Sequence, residues 1–314
     1  MSITVLKPGL QTTIQSRPRT GLRHNGIPAS GAADPLSLAL ANKLVGNNWD
    51  AAALEASLLG PTLLFNSPCA FALTGATAVV TLNGSPIAYH EAVFAEAGDE
   101  VAIGASETGA RAYVAVAGGL IVEDILGSPS TDLLATFGGH KGRSLQAEDV
   151  IGVAPKPVEP LRTPDEFRLP MSSSWALRAT TSVESEQLSD RGLKRLFDTN
   201  WTVGRRADRM GLKLEGPRLK ISSDGRMPSA GTFPGTVQCP EDGSPYILSV
   251  DAGTVGGYPR VAQIVRADRH LIGQLRPGDH VRLLHRDPNA ATQALRGKVA
   301  YWRPWLPDIA TVLA

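Results

Sequence analysis

Arginine and glycine stand close together in three short segments of the sequence, and this pairing is typical of loops that bind small anions. The segments are "FGGHKGRS" (137–144), "RRADRMG" (205–211) and "GTVGGYPR" (253–260). A guanidinium group presents a planar fork of donors that matches a carboxylate or a phosphate. Glycine lets backbone amides approach a ligand closely. The residue types therefore predict binding of a small molecule that carries negative charge.

Each segment also has a plain structural interpretation. The first, with Gly138, Gly139, His140 and Arg143, does not match the phosphate-binding pattern G-x-x-x-x-G-K-[ST], and its spacing alone favours a glycine turn with a solvated basic tip. The second is either a solvated turn or a site in which Asp208 orients an arginine toward a substrate carboxylate. The third is either a turn that links two strands or a loop whose glycines turn the chain sharply beside a ligand.

A fourth segment, "RTGLRHNGIPASGAADP" (19–35), places Arg19, Arg23 and His24 ahead of a predicted helix. The amino end of a helix attracts anions, so this segment is a further candidate for substrate binding. Asp34 serves equally well as the cap of that helix, and this is the simpler interpretation.

Other kinds of chemistry lack their usual motifs. The sequence has no H-E-x-x-H, no Cys-x-x-Cys and no G-x-S-x-G, so we predict neither a metal site nor a serine hydrolase. The two cysteines, Cys69 and Cys239, are expected to be buried apolar residues.

Composition narrows the class of protein. The chain has 314 residues, of which 42% are hydrophobic, and its net charge is +1. Aromatic residues make up 5%, which argues against a nucleic-acid surface. No apolar run approaches the roughly 18 residues of a membrane span, and no secretory signal is visible. We therefore expect a cytoplasmic protein that binds neither nucleic acid nor membrane.

Short apolar runs bounded by glycine and proline dominate the chain and predict many short strands. Asn83-Gly84 predicts a hairpin turn. Helices are predicted at 33–47, where Leu36, Leu40 and Leu44 would form a buried stripe, and at 189–198.

The two halves of the chain resemble each other. "LLGPTLLF" (58–65) matches "LEGPRLKI" (214–221), and "AGDEVAIG" (97–104) matches "PGDHVRLL" (277–284). Between the halves, residues 154–174 carry five prolines and are predicted to form a connector. We therefore predict duplicated β domains at 1–153 and 175–314.

Several segments in order resemble one family over nearly the whole chain: the biotin-dependent carboxyltransferase-like family that includes allophanate hydrolase subunit 2, KipA and the C subunit of 5-oxoprolinase. They are "GIPASGAADPLSLALANKLVGN", "ALEASLLGPTLLF", "ALTGA", "TFGGHKGRSL", "DRMGLKLEGP" and "VGGYPRVAQIVRADRHLIGQLRPGDHVRL". The resemblance implies a mainly β fold with two cyclophilin-like β-barrel subdomains and few short helices.

The resemblance also implies a function in a complex. The expected activity is ATP-dependent opening of 5-oxoproline to glutamate, together with two partner proteins, one KipI-like and one LamB/YcsF-like. The alternatives are a carboxyltransferase that receives carboxybiotin from a partner and acts on a urea-like substrate, and a KipA-type regulatory binding protein. In all three cases the small ligand is acidic or ureido.

The resemblance assigns roles to particular residues. It implies that Tyr258 hydrogen-bonds a lactam or ureido carbonyl and that Arg260 holds a carboxylate. The expected catalytic residues are Asp208, Arg209, Tyr258 and Arg260. The expected substrate-binding residues are Asp34, Gly138, Gly139, His140, Arg143, Gly256 and Gly257.

The sequence departs from the family pattern in three places. "QSRPRTG" has Ser16 and Pro18 where the family has Asp and Gly, "TVGGYPR" ends in arginine instead of lysine, and "ATTSVES" (179–185) replaces a stretch rich in glycine and proline. Because these changes lie in candidate site loops, the substrate is less firmly implied than the fold.

Overall fold

The computed structural model describes residues 1–221 and 227–314. It confirms a mainly β protein with few helices. The described residues form two compact units. The first contains residues 1–19, 30–171 and 302–312, and the second contains residues 20–29, 172–301 and 313–314. The predicted boundaries at 153 and 175 stay a prediction, and the segments 20–29 and 302–312 each belong to the unit that holds the opposite half of the chain.

The first unit is built on a sheet of nine strands. They are β1 (Ser2–Lys7), β2 (Gln11–Gln15), β3 (Ala53–Ser57), β4 (Thr62–Phe65), β5 (Cys69–Leu82), β6 (Ser85–Pro86), β7 (Ala92–Ala95), β8 (Glu100–Val116) and β9 (Val150–Gly152). The strand order is β2-β3-β8-β4-β1-β9, and β5 pairs with β8 and carries β6 and β7. A 3₁₀ turn, Asp165–Phe167, belongs to the first unit outside this sheet, and another, Arg23–Asn25, belongs to the second unit.

Helix α1 (Pro35–Leu44) lies within the predicted range 33–47 and packs on β5 and β8. Asp34 caps it, since one carboxylate oxygen accepts from the Ser37 amide at 3.1 Å. The predicted stripe is confirmed, since Leu36, Leu40 and Leu44 are buried, but burial extends beyond it to eight of the ten helix residues. Helix α1 is therefore a core element enclosed on nearly all sides, which a stripe of one residue type every four positions does not reveal.

The second unit contains a closed barrel of seven strands. They are β10 (Ser174–Thr181), β11 (Asn200–Ala207), β12 (Gly211–Glu215), β14 (Thr236–Gln238), β15 (Tyr246–Leu248), β17 (Arg260–Ile264) and β18 (His280–His285). They follow one another around the barrel in the order β10-β17-β14-β15-β12-β11-β18. A separate two-stranded ribbon pairs β13 (Ala230–Gly231) with β16 (Val255–Gly256).

Two longer helices accompany the barrel. They are α2 (Asp190–Asp198), which was predicted, and α3 (Pro288–Trp302), and 3₁₀ turns lie at Val183–Gln187 and Arg266–Gln274. The short helix α4 (Ile309–Val312) belongs to the first unit.

One tight turn recurs three times before a strand, twice in the first unit and once in the second. In each copy an aspartate accepts a hydrogen bond from the amide three residues earlier: Asp99 from Glu96 at 2.7 Å, Asp149 from Gln146 at 2.7 Å and Asp279 from Arg276 at 3.0 Å. The residue before each aspartate has a positive φ: Gly98 (94°), Glu148 (71°) and Gly278 (89°). The predicted match of "AGDEV" with "PGDHV" therefore corresponds to a shared local geometry.

The proline-rich residues 154–171 do not hang free between the units. The Ala92 amide donates to the Leu161 carbonyl at 2.9 Å, and the Thr163 amide donates to the His90 carbonyl at 2.8 Å. The stretch is thus an extended segment held on the first unit. No helix within the described residues combines the length and apolar character needed to cross a membrane.

Candidate functional site

The glycine loop 137–144 is pressed against residues 130 and 131. Gly138 and Gly139 both have positive φ, of 72° and 53°. A Cβ on Gly138 would lie 2.1 Å from the Ser130 carbonyl oxygen, and a Cβ on Gly139 would lie 1.9 Å from Thr131 Oγ1. The glycines are therefore required by the packing of the loop itself, whatever ligand its amides meet.

Asp149 joins two of the basic residues of this loop, His140 and Arg143. Its carboxylate accepts from Arg143 Nη1 and Nη2, both at 2.7 Å, and lies 3.1 Å from His140 Nε2. The hydrogen bonds from the Arg143 guanidinium hold the pKa of Asp149 far below its usual range, although the side chain is buried. The predicted residues Gly138, Gly139, His140 and Arg143 are thus brought together, with the guanidinium already committed to one carboxylate.

Arg19 supports the same loop from a fully buried position. Its Nε donates to the Ile125 carbonyl at 3.0 Å, and its Nη2 donates to the carbonyls of Ser128, at 3.1 Å, and Ser130. Its guanidinium lies 4.6 Å from the centre of the Phe137 ring. Arg19 therefore fixes the loop through backbone carbonyls and an aromatic face.

Asp34 lies in a buried polar cluster at the start of α1. The Asp34 amide donates to the Tyr113 hydroxyl at 2.7 Å, and that hydroxyl donates to Glu55 Oε2 at 2.7 Å. Burial, followed by the nearby Glu55 charge, raises the pKa of Tyr113 well above its usual value. The structure thus shows Asp34 as a helix cap, and its role in substrate binding stays a prediction.

The departure at "QSRPRTG" is accommodated by neighbouring polar groups of the first unit. The Ser16 hydroxyl donates to the Asp50 carbonyl, and the Ser16 amide donates to Ser130 Oγ at 2.9 Å. Arg17 pairs with Asp50 at 3.0 Å and with Asp124. Pro18 packs on Gly31, where a Cβ would lie 2.8 Å from the proline nitrogen.

In the second unit, the carboxylate that faces Arg209 is that of Asp251. Arg209 Nε donates to Asp251 Oδ2 at 2.6 Å and Nη2 donates to Oδ1 at 3.0 Å, and both side chains are buried. The predicted partner Asp208 instead accepts from the amides of Met210, at 2.7 Å, and Gly211, at 3.1 Å. This corrects the sequence interpretation: Asp208 shapes the turn, and Asp251, 43 positions further along the chain, orients the arginine.

Arg260 is held in the same way by a carboxylate from a distant segment. Its Nε donates to Glu184 Oε2 at 2.8 Å, its Nη2 donates to Oε1, and its Nη1 donates to the Gly231 carbonyl at 2.8 Å. The hydrogen bond from Arg260 lowers the pKa of Glu184 and in turn raises the pKa of Arg260. Arg260 was expected to hold a substrate carboxylate, and in this structure it holds the carboxylate of Glu184.

Glu184 and Asp251 were not found from the sequence. Glu184 lies in "ATTSVES", the segment that departs from the family pattern, and Arg260 is the departure from lysine. The two departures from the family pattern are therefore in contact. Their occurrence in the same sequence was the signal that could have indicated the Glu184–Arg260 pair.

The glycine loop 253–260 is less sharply bent than predicted. Gly253, Gly256 and Gly257 are not among the residues with positive φ. Gly256 belongs to β16, and a Cβ there would lie 2.5 Å from Gln238 Nε2, so close packing explains this glycine. Tyr258 follows, and this residue is 46% exposed to solvent.

Arg23 fastens the start of this loop. Its Nη2 donates to the carbonyls of Thr232, at 2.7 Å, and Gly253, at 3.2 Å. The Asp251 amide donates to the Arg209 carbonyl at 2.9 Å. Within the second unit, Arg209 is therefore joined through Asp251 to the segment that carries Gly256, Gly257, Tyr258 and Arg260.

Cys239 is buried as predicted, whereas Cys69 is only partly buried. Burial raises the pKa of Cys69 to about 11 and that of Cys239 to about 12. Within residues 1–221 and 227–314, no three His, Cys, Asp or Glu side chains are grouped to hold a metal ion.

A family model described as "Carboxyltransferase domain, subdomain A and B" matches residues 25–285. The chain belongs to this carboxyltransferase domain family. It is 32% identical over 300 residues to the C subunit of 5-oxoprolinase from Escherichia coli strain K12, and the match covers 96% of each protein.

Larger members of the carboxyltransferase domain family are also similar. The urea amidolyase of Lachancea kluyveri is 32% identical over 89% of this chain, and the chain spans 17% of that protein. The crystal structure of the K. lactis urea amidolyase superimposes with a TM-score of 0.89 at 30% identity over 96% of this chain, which spans a fifth of it. The carboxyltransferase domain therefore occurs both inside much longer enzymes and as a separate subunit.

Proposed function

We propose that this chain is a subunit of an ATP-dependent 5-oxoprolinase, which hydrolyses 5-oxo-L-proline to glutamate. The observation that carries the proposal is coverage: the similarity to the C subunit of 5-oxoprolinase spans 96% of both proteins. The match to urea amidolyase spans a small part of a much longer enzyme. The C subunit is therefore matched over nearly its whole length, and the amidolyase over one domain.

The chemistry of the proposed substrate fits the groups of the candidate site. A lactam is a poor electrophile, because its nitrogen donates electrons into the carbonyl. Transfer of the ATP γ-phosphate to the lactam oxygen releases ADP and makes the carbon electrophilic. Attack of water on that carbon, release of phosphate and cleavage of the C–N bond then give glutamate.

Developing negative charge on the reacting oxygen requires fixed hydrogen-bond donors. The candidates are Arg143 in the first unit and Arg209, Tyr258 and Arg260 in the second, and each of the arginines is held by one carboxylate. A guanidinium held in this way loses little side-chain freedom when a substrate binds. Tyr258 differs, because it is an exposed residue whose hydroxyl can donate directly to a lactam carbonyl.

The proposal includes two partner proteins, one KipI-like and one LamB/YcsF-like, with ATP used by the complex. Support for a complex comes from the names of the similar proteins, which describe them as one subunit of 5-oxoprolinase. Cytoplasmic location is part of the same proposal.

The second candidate function is carboxyl transfer to a urea-like substrate, with carboxybiotin delivered by a partner. The family description and the high structural similarity to urea amidolyase favour it. A KipA-type regulatory role is the third possibility, in which the chain binds a partner and catalyses nothing.

Glutamate release from 5-oxoproline distinguishes these candidates. The purified chain is expected to release no glutamate with ATP, and the chain co-expressed with its KipI-like and LamB/YcsF-like partners is expected to release it. Carboxylation of urea by the chain with a biotin-carrying partner would favour the second candidate. Full activity of the lone chain would overturn the assignment to a complex.

Variants locate the reaction on this chain. In the active complex, Tyr258→Phe is expected to lower kcat about 10- to 100-fold, because it removes one hydroxyl donor and keeps the ring. Arg303→Ala, at an exposed position, is the control and should leave kcat unchanged. Equal activity of Tyr258→Phe and the parent would remove Tyr258 from the site.

A further inference from the structure

An open cleft of about 460 Å³ lies on the barrel of the second unit, within the size range of small-molecule sites. We call it the Arg205 cleft. It is lined by Arg205, Arg206, Ala207, Asp208, Lys213, Pro240, Asp242 and Tyr246.

A bulge explains why two successive arginines line the same cleft. Successive side chains of a regular strand point to opposite faces of the sheet. The pairing of β11 with β12 shifts register between Val203 and Ala207, and Arg205 and Arg206 lie inside this irregular stretch. Bulges re-aim side chains and are frequent beside binding sites. The irregular pairing therefore allows both arginines to line the same cleft.

Tyr246 belongs to the wall of the cleft and is held firmly. Its ring packs on Gly211, where a Cβ would lie 2.4 Å from Tyr246 Cε1. Burial, followed by the charge of Asp208, raises the pKa of Tyr246, so its hydroxyl is a hydrogen-bond donor at neutral pH. Lys213, its cross-strand neighbour, pairs with Asp242 at 2.8 Å.

The lining carries three basic and two acidic side chains, a net charge of +1, and within the described residues two of its guanidinium groups have no carboxylate partner. Lys213 and Asp242 satisfy each other, and one oxygen of Asp208 is taken by two backbone amides. Arg205 and Arg206 are both exposed, and neither forms an ion pair or hydrogen bond with any residue in the described part of the chain. Arginine forks of this kind fit oxyanions.

We propose that the Arg205 cleft binds a small molecule with at least two negative charges, carried by phosphate or carboxylate groups. Arg205 and Arg206 hold the oxyanions, and the Tyr246 hydroxyl donates a further hydrogen bond. Neither Arg209, which pairs with Asp251, nor Arg260, which pairs with Glu184, is among the residues that line this cleft. The proposal goes beyond the proposed function and does not depend on it, because it concerns binding to the isolated chain.

Isothermal titration calorimetry on the full chain tests the proposal with three probes: pyrophosphate, ADP and L-glutamate. Pyrophosphate and ADP bind if the oxyanions are phosphates, and L-glutamate binds if they are carboxylates. Each probe is titrated to roughly 10 mM, which saturates a site with a millimolar Kd. The expected result is that at least one probe binds and that Arg205→Ser/Arg206→Ser weakens it by about tenfold or more.

The control variant is Arg282→Ser/Arg286→Ser. It removes the same charge from the same barrel, where Arg282 is 51% exposed with a partner 3.9 Å away and Arg286 is also exposed. Its affinity should stay within about twofold of the parent. Equal weakening by both double variants would reduce the effect to overall charge and overturn the proposal. So would the absence of binding by all three probes, or binding of an acidic peptide alone, which would assign the cleft to a protein partner.

Discussion

Arg143, Arg209 and Arg260 share one arrangement: each guanidinium makes two hydrogen bonds to a single carboxylate. Paired hydrogen bonds of this kind are about twice as strong as neutral ones and fix the plane of the guanidinium. The carboxylate therefore fixes the orientation of each guanidinium, although the loops that carry these arginines are rich in glycine.

The sequence identifies these arginines more easily than their partners. Arg143 is six residues from Asp149, within one segment. Arg209 and Arg260 pair with Asp251 and Glu184, which the fold alone brings near. Sequence spacing predicts contacts between residues of one element. It therefore favoured the adjacent Asp208 as the partner of Arg209, which was wrong. Pairs across the barrel depend on strand order, which a single sequence does not specify.

The Arg260–Glu184 pair should contribute measurably to stability. The Glu184 side chain is 10% exposed and that of Arg260 is 21% exposed, so Arg260→Ala leaves a nearly buried charge without its partner. We expect a loss of about 2–3 kcal/mol in the free energy of unfolding. Urea denaturation measures it, with Arg303→Ala as a control that should change stability by less than about 0.5 kcal/mol. Similar values for both variants would show that the pair is not stabilising.

Asp149 makes stability depend on pH through its lowered pKa. A carboxyl whose folded pKa is depressed adds stability that is fully present above its unfolded pKa, about 3.9, and is lost as pH falls through the folded pKa. The hydrogen bonds from Arg143 cause the shift. We expect Asp149→Asn to be less stable than the parent by about 2 kcal/mol at pH 7. The gap should narrow below about pH 4, and a gap that stays constant to pH 2 would contradict the assignment.

At the scale of elements, the recurring aspartate turn shows what the sequence encodes locally. Gly98 and Gly278 have φ of 94° and 89°, and an added Cβ at either would meet nothing within 4 Å. In the third copy Glu148 adopts a φ of 71° without glycine. Backbone conformation, and not crowding, is therefore the reason for glycine in the first two copies.

Gly98→Ala and Gly278→Ala should each destabilise the protein by about 1–2 kcal/mol, because alanine must adopt a left-handed backbone. Gly297→Ala is the matched control. Gly297 lies in α3, where a Cβ also meets nothing within 4 Å, so alanine should stabilise by about 0.5–1 kcal/mol. Thermal unfolding measures all three, and a stabilising effect at Gly278 would contradict the strain argument.

Elements with a clear local sequence signal, such as a turn dipeptide, were predicted. A helix without an apolar face was missed. The Asn83-Gly84 hairpin is confirmed, with φ of 51° and 80°. Glycines between apolar runs were taken as strand ends, but Gly75 and Gly109 lie within β5 and β8, where the pairing shifts register. Glycine marks a bulge as readily as a turn.

Helix α3 was missed although its start repeats that of α1. Asp287 accepts from the amides of Asn289, at 2.9 Å, and Ala290, at 3.0 Å, and Pro288 follows it, as Pro35 follows Asp34. Trp302 is the only buried residue of α3, all of which lies in the described part of the chain, so the helix has no apolar stripe to detect. The Asp-Pro pair was the signal that could have found it.

At the scale of the whole molecule, chain order and compact unit do not coincide. Residues 302–312 follow the second unit in sequence and belong to the first. Trp302, Leu306, Ile309 and Val312 are all nearly or fully buried there. The sequence shows these residues as an apolar tail but not which surface they cover, because nothing local to the tail specifies a partner hundreds of residues earlier.

This arrangement predicts that residues 1–171 form an incomplete fold that residues 302–312 complete in trans. In the first unit the Trp302 ring lies 5.5 Å from the Phe167 ring, the Trp305 ring lies 6.3 Å from it, and α4 packs on α1. A fragment that ends at residue 171 exposes these surfaces. A synthetic peptide of residues 302–312 should therefore raise the Tm of the fragment in a concentration-dependent way.

The control is the same peptide with Ile309→Asp. It should bind about 100-fold more weakly, because Ile309 is fully buried and the aspartate charge would be removed from water without a partner. Equal shifts in Tm with both peptides, or a fragment already as stable as the full chain, would show that residues 302–312 are not part of the first unit's core.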